Sequence, residues 1–308
     1  MIRRFAAAAF CGPALALLTL SGGLTSSAGA DTPAAPPSPG YWVVTAGGSG
    51  VPFNAPQLGS PATTNNDVCE AGPAYPFYGC LAVAGTPTHQ GYLVGGTGPD
   101  PKDKKYFGDT EGFGTGGECP TTQAYGPFLG LNAVVVGLAI APTGFWLVGA
   151  DGGIFTACGA NFYGSMGDQH LNKQVVGMAS TPDGFGYWLV ASDGGIFTFG
   201  DAPFLGSLGA LKLNSPVVGI VPTPDGGGYY MVAKDGGVFT FGDAPFEGSL
   251  GNLHLAKPIS GMALNPDGPG YWLVGTDGGV FALGGAPFLG SAAGLKLDAP
   301  VVGIVAKS

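Results

Sequence analysis

One order of apolar and polar positions recurs along this chain. From Val175 the apolar run Val-Val-Gly-Met-Ala-Ser ends at Pro-Asp-Gly, a second run extends from Tyr187 to Ala191, and a third from Ile196 to Phe199 follows Asp193-Gly194. The loop Gly200-Asp201-Ala202-Pro203 then leads into Phe204 to Leu208. Short apolar runs rich in β-branched and aromatic residues, punctuated by Gly, Pro and Asp, predict strands and tight turns. Each unit is thus expected to hold four antiparallel strands, with a type I′ hairpin at Asp193-Gly194, where both central residues would take positive φ.

The unit repeats at a strict interval. Asp-Gly-Gly begins at Asp151, Asp193, Asp235 and Asp277, each 42 residues after the last, and Trp146, Trp188, Tyr230 and Trp272 keep the same step. The Gly-Ser pairs at Gly164, Gly206, Gly248 and Gly290 do so as well. Two worn copies precede these four. Gly40-Tyr41-Trp42-Val43-Val44 with Asn54-Ala55-Pro56 and Gly59-Ser60 makes the first, and Ala82 to Gly85, Gly91-Tyr92-Leu93-Val94 and Phe107-Gly108-Asp109 make the second.

Counted by type, second strands begin near residues 41, 92, 145, 187, 229 and 271, and first strands lie near 81, 134, 175, 217, 259 and 301. The series opens on a second strand and ends on an unpartnered first strand, Val301-Val302-Gly303-Ile304-Val305. The expected fold is therefore all-β, a six-bladed β-propeller over residues 40–308, closed by pairing of the C-terminal strand with the first blade. Closure of that kind leaves no sheet edge open for another chain to extend. Leu131 to Ala150 carries no charge and has the length of a membrane helix, yet Pro142-Thr143-Gly144 falls where sister units place Pro-Asp-Gly. It reads as two buried strands around a turn.

The first thirty residues stand apart. Arg3 and Arg4, an apolar stretch from Phe5 to Leu20 and small residues ending in Ala28-Gly29-Ala30 predict a cleaved signal peptide over 1–30, followed by a short Pro-rich linker over 31–39. The expected address is secreted or cell-wall associated, with no membrane span after cleavage. The chain of 308 residues has a formal charge of −9, and removing the two arginines makes it more negative, so nucleic acid is a poor partner. Gly numbers 59 and Pro 27 while only 10% of residues are charged, which suits many strands and turns rather than helices. Cys69, Cys80, Cys119 and Cys158 remain after cleavage, an even number in an oxidising compartment, so two disulfides are expected.

The motifs Gly-Tyr-Trp-Leu-Val, Asp-Gly-Gly-(Ile/Val)-Phe, Phe-Gly-Asp-Ala-Pro-Phe and Gly-Ser resemble the propeller-type repeats of secreted actinobacterial proteins. The match is close from about Val134 onward and loose from Gly40 to Ala133. That resemblance implies export and a propeller, and no agreed activity. Ser192-Asp193-Gly194-Gly195 is similar to the Asp-box of sialidases but lacks the Thr-Trp that should follow.

Residues repeated in every blade read as framework. Trp42, Trp146, Trp188, Tyr230 and Trp272 are expected to bury apolar area between blades, and Gly137, Gly177, Gly219, Gly261 and Gly303 to relieve crowding of the first strands near the axis. The repeated aspartates read as turn formers. A calcium role is their alternative, although calcium loops cluster several oxygens within a few residues and these do not. His89, His170 and His254 share no metal-ligand spacing, so neither a metal site nor a cofactor is predicted.

Breaks in the repeat are more informative. Extra residues at Pro61 to Gly79, Thr97 to Asp103 and Gly116 to Ala133 are expected to form one raised lobe on a single face. The lobe holds Cys69, Cys80 and Cys119 and the candidate binding residues Tyr75, Tyr78, Lys102, Asp103, Lys104, Lys105 and Tyr125. Cys69 and Cys80 flank one insertion and are expected to pair, leaving Cys119 with Cys158. These features point to a non-enzymatic extracellular binding module for a glycan or a protein. The alternatives are a hydrolase or lyase acting on a sugar or lactone in the central channel, and a purely structural envelope or spore-surface component.

Overall fold

In the computed structural model the folded unit spans Pro37–Ser308, and the described residues are 39–58, 80–85, 90–99, 106–115 and 125–307. The signal peptide and the linker, apart from Pro39, lie outside them. The described chain holds strands and no helix. In order these are β1 (Gly40–Thr45), β2 (Gly50–Phe53), β3 (Cys80–Gly85), β4 (Gln90–Pro99), β5 (Tyr106–Thr115), β6 (Tyr125–Leu131), β7 (Val135–Ala141), β8 (Gly144–Gly149), β9 (Ile154–Ala157), β10 (Val175–Ser180), β11 (Gly186–Ala191) and β12 (Ile196–Gly200). They continue with β13 (Val217–Pro222), β14 (Gly228–Ala233), β15 (Val238–Gly242), β16 (Ile259–Leu264), β17 (Tyr271–Gly275), β18 (Val280–Leu283) and β19 (Val301–Lys307).

These strands form six separate antiparallel sheets, in the orders β19-β1-β2, β3-β4-β5-β6, β7-β8-β9, β10-β11-β12, β13-β14-β15 and β16-β17-β18. The first strand of each sheet touches the first strand of the next, and the series β3, β7, β10, β13, β16, β19 returns to β3. The sheets are blades of a propeller. No ladder joins one sheet to the next; β19 completes the ring by pairing with β1, from Gly40↔Lys307 to Thr45↔Val301. The uncharged run 131–150 lies in the end of β6, in β7 and in β8, and no helix among the described residues is long and apolar enough to cross a membrane.

Middle strands are buried on both faces, which is why Gly-Tyr-Trp-Leu-Val-Ala is apolar without alternation. Inner strands crowd as expected: a Cβ on Gly137 would sit 3.1 Å from the Cα of Gly177. The first and second strands of every blade also share a register shift, as between Val175 and Gly177, where a bulge bends the inner strand.

Two expectations are corrected. Among the described residues five sheets have three strands rather than four, because the outer segment, such as Ala202 to Ser207, makes no ladder. Its backbone groups are taken by side chains instead, as described below. The Asp-Gly turn is not type I′: Gly194 has φ 78°, while Asp193 is absent from the left-handed region. Gly194 N donates to Ala191 O and Ala191 N to Gly195 O, both at 2.8 Å, giving a three-residue loop that ends in a left-handed glycine. Asp193 Oδ1 accepts from Gly195 N at 3.0 Å, a bond that Asp151, Asp235 and Asp277 repeat.

At the closing seam Thr45 is wholly buried and its hydroxyl has no partner among the described residues. Sister strands place Gly149, Ala191, Ala233 and Gly275 there. An unsatisfied buried hydroxyl costs about 1–3 kcal/mol, so Thr45→Val, of similar volume, is expected to raise the unfolding free energy by about 1 kcal/mol. Chemical denaturation would show a higher midpoint with an unchanged slope; a lower midpoint would mean the hydroxyl is satisfied.

Candidate functional site

Because neighbouring residues on a strand face opposite sides of its sheet, the aromatic pair of every middle strand except β4, where Leu93 follows Tyr92, reaches both adjacent blades. Trp272 meets Tyr41 at 5.1 Å between ring centroids, Trp42 meets Tyr92 at 6.1 Å and Trp146 meets Tyr187 at 5.2 Å. Trp188 meets Tyr229 at 5.8 Å and Tyr230 meets Tyr271 at 5.3 Å. Leu93 and Phe145 share a buried cluster at the remaining junction. The repeated Trp42, Trp146, Trp188, Tyr230 and Trp272 therefore form a belt around the ring, and their partners one position earlier in each strand complete it. Sequence reasoning passed over those partners, although Phe145, Tyr187, Tyr229 and Tyr271 keep the same 42-residue step.

The belt's polar atoms hold the outer segments. Trp188 Nε1 donates to Pro203 O at 2.7 Å in its own blade. Tyr229 OH reaches back one blade, donating to Gly206 O at 2.6 Å and accepting from Leu205 N at 3.2 Å. Tyr41, Tyr187 and Tyr271 do the same to Gly290, Gly164 and Gly248. Ser207 Oγ ties the far end of the segment to Gly194 O at 3.1 Å. A Cβ on Gly206, at φ 140°, would strike the ring of Phe241 in the following blade, so this position takes glycine. Where the next blade has Phe145 in place of tyrosine, the outer segment is β6, paired to β5 in a true fourth strand.

Each blade presents two sets of loops. Asp-Gly-Gly hairpins and the connections to the next blade emerge on one face; Pro-Asp-Gly hairpins and the turns after the third strand emerge on the other. Most of the predicted lobe lies outside the described residues, which hold only its flanking strands. β4 and β5 remain paired to Pro99↔Tyr106, so Thr97 to Pro99 are strand and the chain leaves them on the Asp-Gly-Gly face. β5 and β6 are antiparallel, so the chain departs from Thr115 and returns at Tyr125 on the opposite face, and 125–131 is strand.

Of the candidate binding residues, Tyr75, Tyr78, Lys102, Asp103, Lys104 and Lys105 lie outside the described residues. Tyr125 opens β6, with only its backbone described. Cys69 and Cys119 also lie outside, and Cys80 opens β3 without a described side chain. Cys158 is half of a disulfide whose partner is not among the described side chains. It has φ 57°, in a turn where sister blades hold Gly200, Gly242 and Gly284 at 68°, 65° and 63°. Cysteine there accepts a backbone conformation suited to glycine.

The inner strands carry almost no chemistry. Their sequences, from Cys-Leu-Ala-Val-Ala-Gly in β3 to Val-Val-Gly-Ile-Val-Ala-Lys in β19, contain no carboxylate and no histidine, and Lys307 is the single charge. Among the described residues no three His, Cys, Asp or Glu side chains gather to hold a metal ion, so calcium gains no donor set there. An open recess of about 180 Å³, bordered by Asn214, Asp235, Ser249 and Asn252, lies between blades four and five. Small-molecule sites are typically about 300–1,000 Å³.

No protein-family model and no curated protein matches the chain. Among solved structures it is similar to the β-propeller domain of Cps50 (Swd1) from Myceliophteria thermophila, at 9% identity and a TM-score of 0.38. The likeness covers 64% of this chain and 62% of that one. Nothing about ligands or activity follows at that level.

Burial raises the phenol pKa of Tyr41, Tyr187, Tyr229 and Tyr271, and pushes Tyr230 up to about 12. The folded state thus keeps these protons after the unfolded chain has released them, so stability is full below pH 10 and falls as pH rises from there toward 12. Alkaline titration of unfolding should show this decline, and Tyr230→Phe should make it shallower. Tyr229→Phe strands Gly206 O and Leu205 N and is expected to cost about 1–3 kcal/mol at neutral pH, measured by denaturant midpoint.

Proposed function

We propose that this chain is a secreted or cell-surface binding module without catalytic activity, whose ligand is an extracellular glycan or a protein. The observation that carries this reading is an inner ring whose strands hold no carboxylate and no imidazole. Hydrolysis of a sugar or lactone in the channel needs groups that move protons or a metal that activates water, and the inner strands supply no acid or imidazole for it. The belt and its hydrogen bonds hold the loops on a stiff frame, the usual arrangement where loops recognise a partner.

Export is supported by the amino-terminal pattern and by the disulfide at Cys158, a bond that persists in oxidising compartments. Strand direction supports the pairing by arguing against one alternative. Cys80 opens β3 on the Asp-Gly-Gly face and Cys158 follows β9 on the opposite face, too far apart for the roughly 4.4–6.8 Å Cα separation a disulfide requires. Of the two remaining cysteines, Cys119 is assigned to Cys158 and Cys69 to Cys80. Peptide mapping without reduction is expected to recover Cys119–Cys158 and Cys69–Cys80; a Cys80–Cys158 peptide would contradict the assignment.

Binding residues are assigned to the irregular part of blades one and two: Tyr75, Tyr78, Lys102, Asp103, Lys104 and Lys105, while Tyr125, which opens β6 from the opposite face, is left out of the assignment. Glycan arrays and pull-downs of extracellular proteins with wild type and a Tyr75→Ala/Tyr78→Ala variant test this. Loss of at least about tenfold in signal is expected for aromatic contacts of hot-spot rank. Equal binding by both proteins would remove the lobe from the site.

A further inference from the structure

The Pro-Asp-Gly face of blades four and five presents large apolar side chains to solvent. Phe185 is 59% exposed, Phe204 61% and Phe246 61%. They belong to one connected surface: Asp201 N donates to Phe185 O at 3.2 Å, and Leu205 of blade four lies against the Gly242 turn of blade five.

Carboxylates are interleaved with these rings. Asp183, Asp201, Asp225 and Asp243 are exposed and Glu247 is half-buried, while loops 181–185, 200–206, 223–227 and 242–248 contain no Lys, Arg or His. The other described cations, Lys173, Lys212, Lys234, Lys257 and Lys296 with His170 and His254, lie in loops of the opposite face, and only Lys307 ends toward this one. The acids are paired within each blade. Thr223 Oγ1 lies 2.8 Å from Asp225 Oδ1 and 3.3 Å from Asp243 Oδ1, and the corresponding Thr181 donates to Asp183 at 2.8 Å. In blade five one hydroxyl proton cannot serve both carboxylates, and a guanidinium or ammonium group would supply the donors that the pair lacks. Hydrogen bonds from Phe185 N and Thr181 hold the Asp183 carboxyl below its usual range, and those from Thr223 and Gly227 N do the same for Asp225, so both are charged at neutral pH.

The fold does not require the second acid of each pair. Blades three and six place Gly159 and Gly285 where blades four and five have Asp201 and Asp243, and all four make the same turn. Ala160 N donates to Ala157 O at 3.2 Å and Ala286 N to Leu283 O at 3.4 Å, matching Ala202 N to Phe199 O and Ala244 N to Phe241 O at 3.4 Å.

We propose that this surface docks a basic segment of a partner protein, whose Arg or Lys side chains sit on the two carboxylate pairs and whose apolar side chains pack on Phe185, Phe204 and Phe246. Charge complementarity selects the occupant, because guanidinium and ammonium groups satisfy paired carboxylates while the stems between them cover the rings. The site is formed by described residues of blades four and five and does not depend on the binding residues assigned to blades one and two.

The test uses the full exported chain and a fluorescent peptide of alternating Arg and Leu, followed by anisotropy, with a Glu-Leu peptide as its counterpart. The variants are Asp201→Gly/Asp243→Gly, which copies blades three and six, and Phe204→Ser/Phe246→Ser; Asp168→Asn on the other face is the control. Saturable binding of the Arg-Leu peptide is expected, weakened by salt, lowered at least about tenfold in each double variant and unchanged in the control. Equal affinity across all variants would reduce the effect to diffuse attraction by a negative chain and overturn the proposal. Calcium that displaces the peptide from wild type, with calcium affinity lost in Asp201→Gly/Asp243→Gly, would also overturn it by giving the pairs to a metal ion.

Discussion

The structure depends on the contact between an aromatic ring in one blade and its counterpart in the next. Around the ring every junction but one is sealed by two aromatics, one of them a tryptophan at four of those five, and each such pair contributes about 0.5–1.5 kcal/mol beyond the area it buries. Those side chains also carry the donors that fix the outermost segment: indole N–H within the blade, phenol O–H across to the preceding one. Packing and polar satisfaction thus come from the same residues, and blades three to six are not complete until the blade that follows each is in place.

That coupling explains what could be read from the chain and what could not. Period, blade number and ring closure were legible, because the apolar runs and the glycine turns recur at one interval and the series ends on a lone first strand. The fourth strand was not, because the phenol that replaces its ladder sits 23 residues downstream of the carbonyl it binds, beyond any local pattern. The hairpin type was misjudged because Asp193 accepts a hydrogen bond from Gly195 N, a preference that the dipeptide Asp-Gly does not reveal.

The candidate chemistry was less legible still. Asp183 and Asp201 each read as ordinary turn formers when taken alone; only the folded blade brings the Pro-Asp-Gly hairpin beside the turn after the third strand and shows two acids where the turns need one. Exposed phenylalanines were hidden in the same way, inside a motif whose other members are framework. Departures from the repeat in the opposite sense, such as Cys158 at a glycine position, mark where blade three was adapted to a covalent link.

The seam between β1 and β19 has a mechanical consequence. Gly40 and Lys307 are paired at one end of two antiparallel strands, so tension applied through those two residues would pull the strands apart like a zip, one hydrogen-bonded pair after another, rather than sliding them in shear. A toroid anchored by one end to a wall and pulled by the other would open at this seam while the remaining five sheets, whose strands follow one another in sequence, stayed folded.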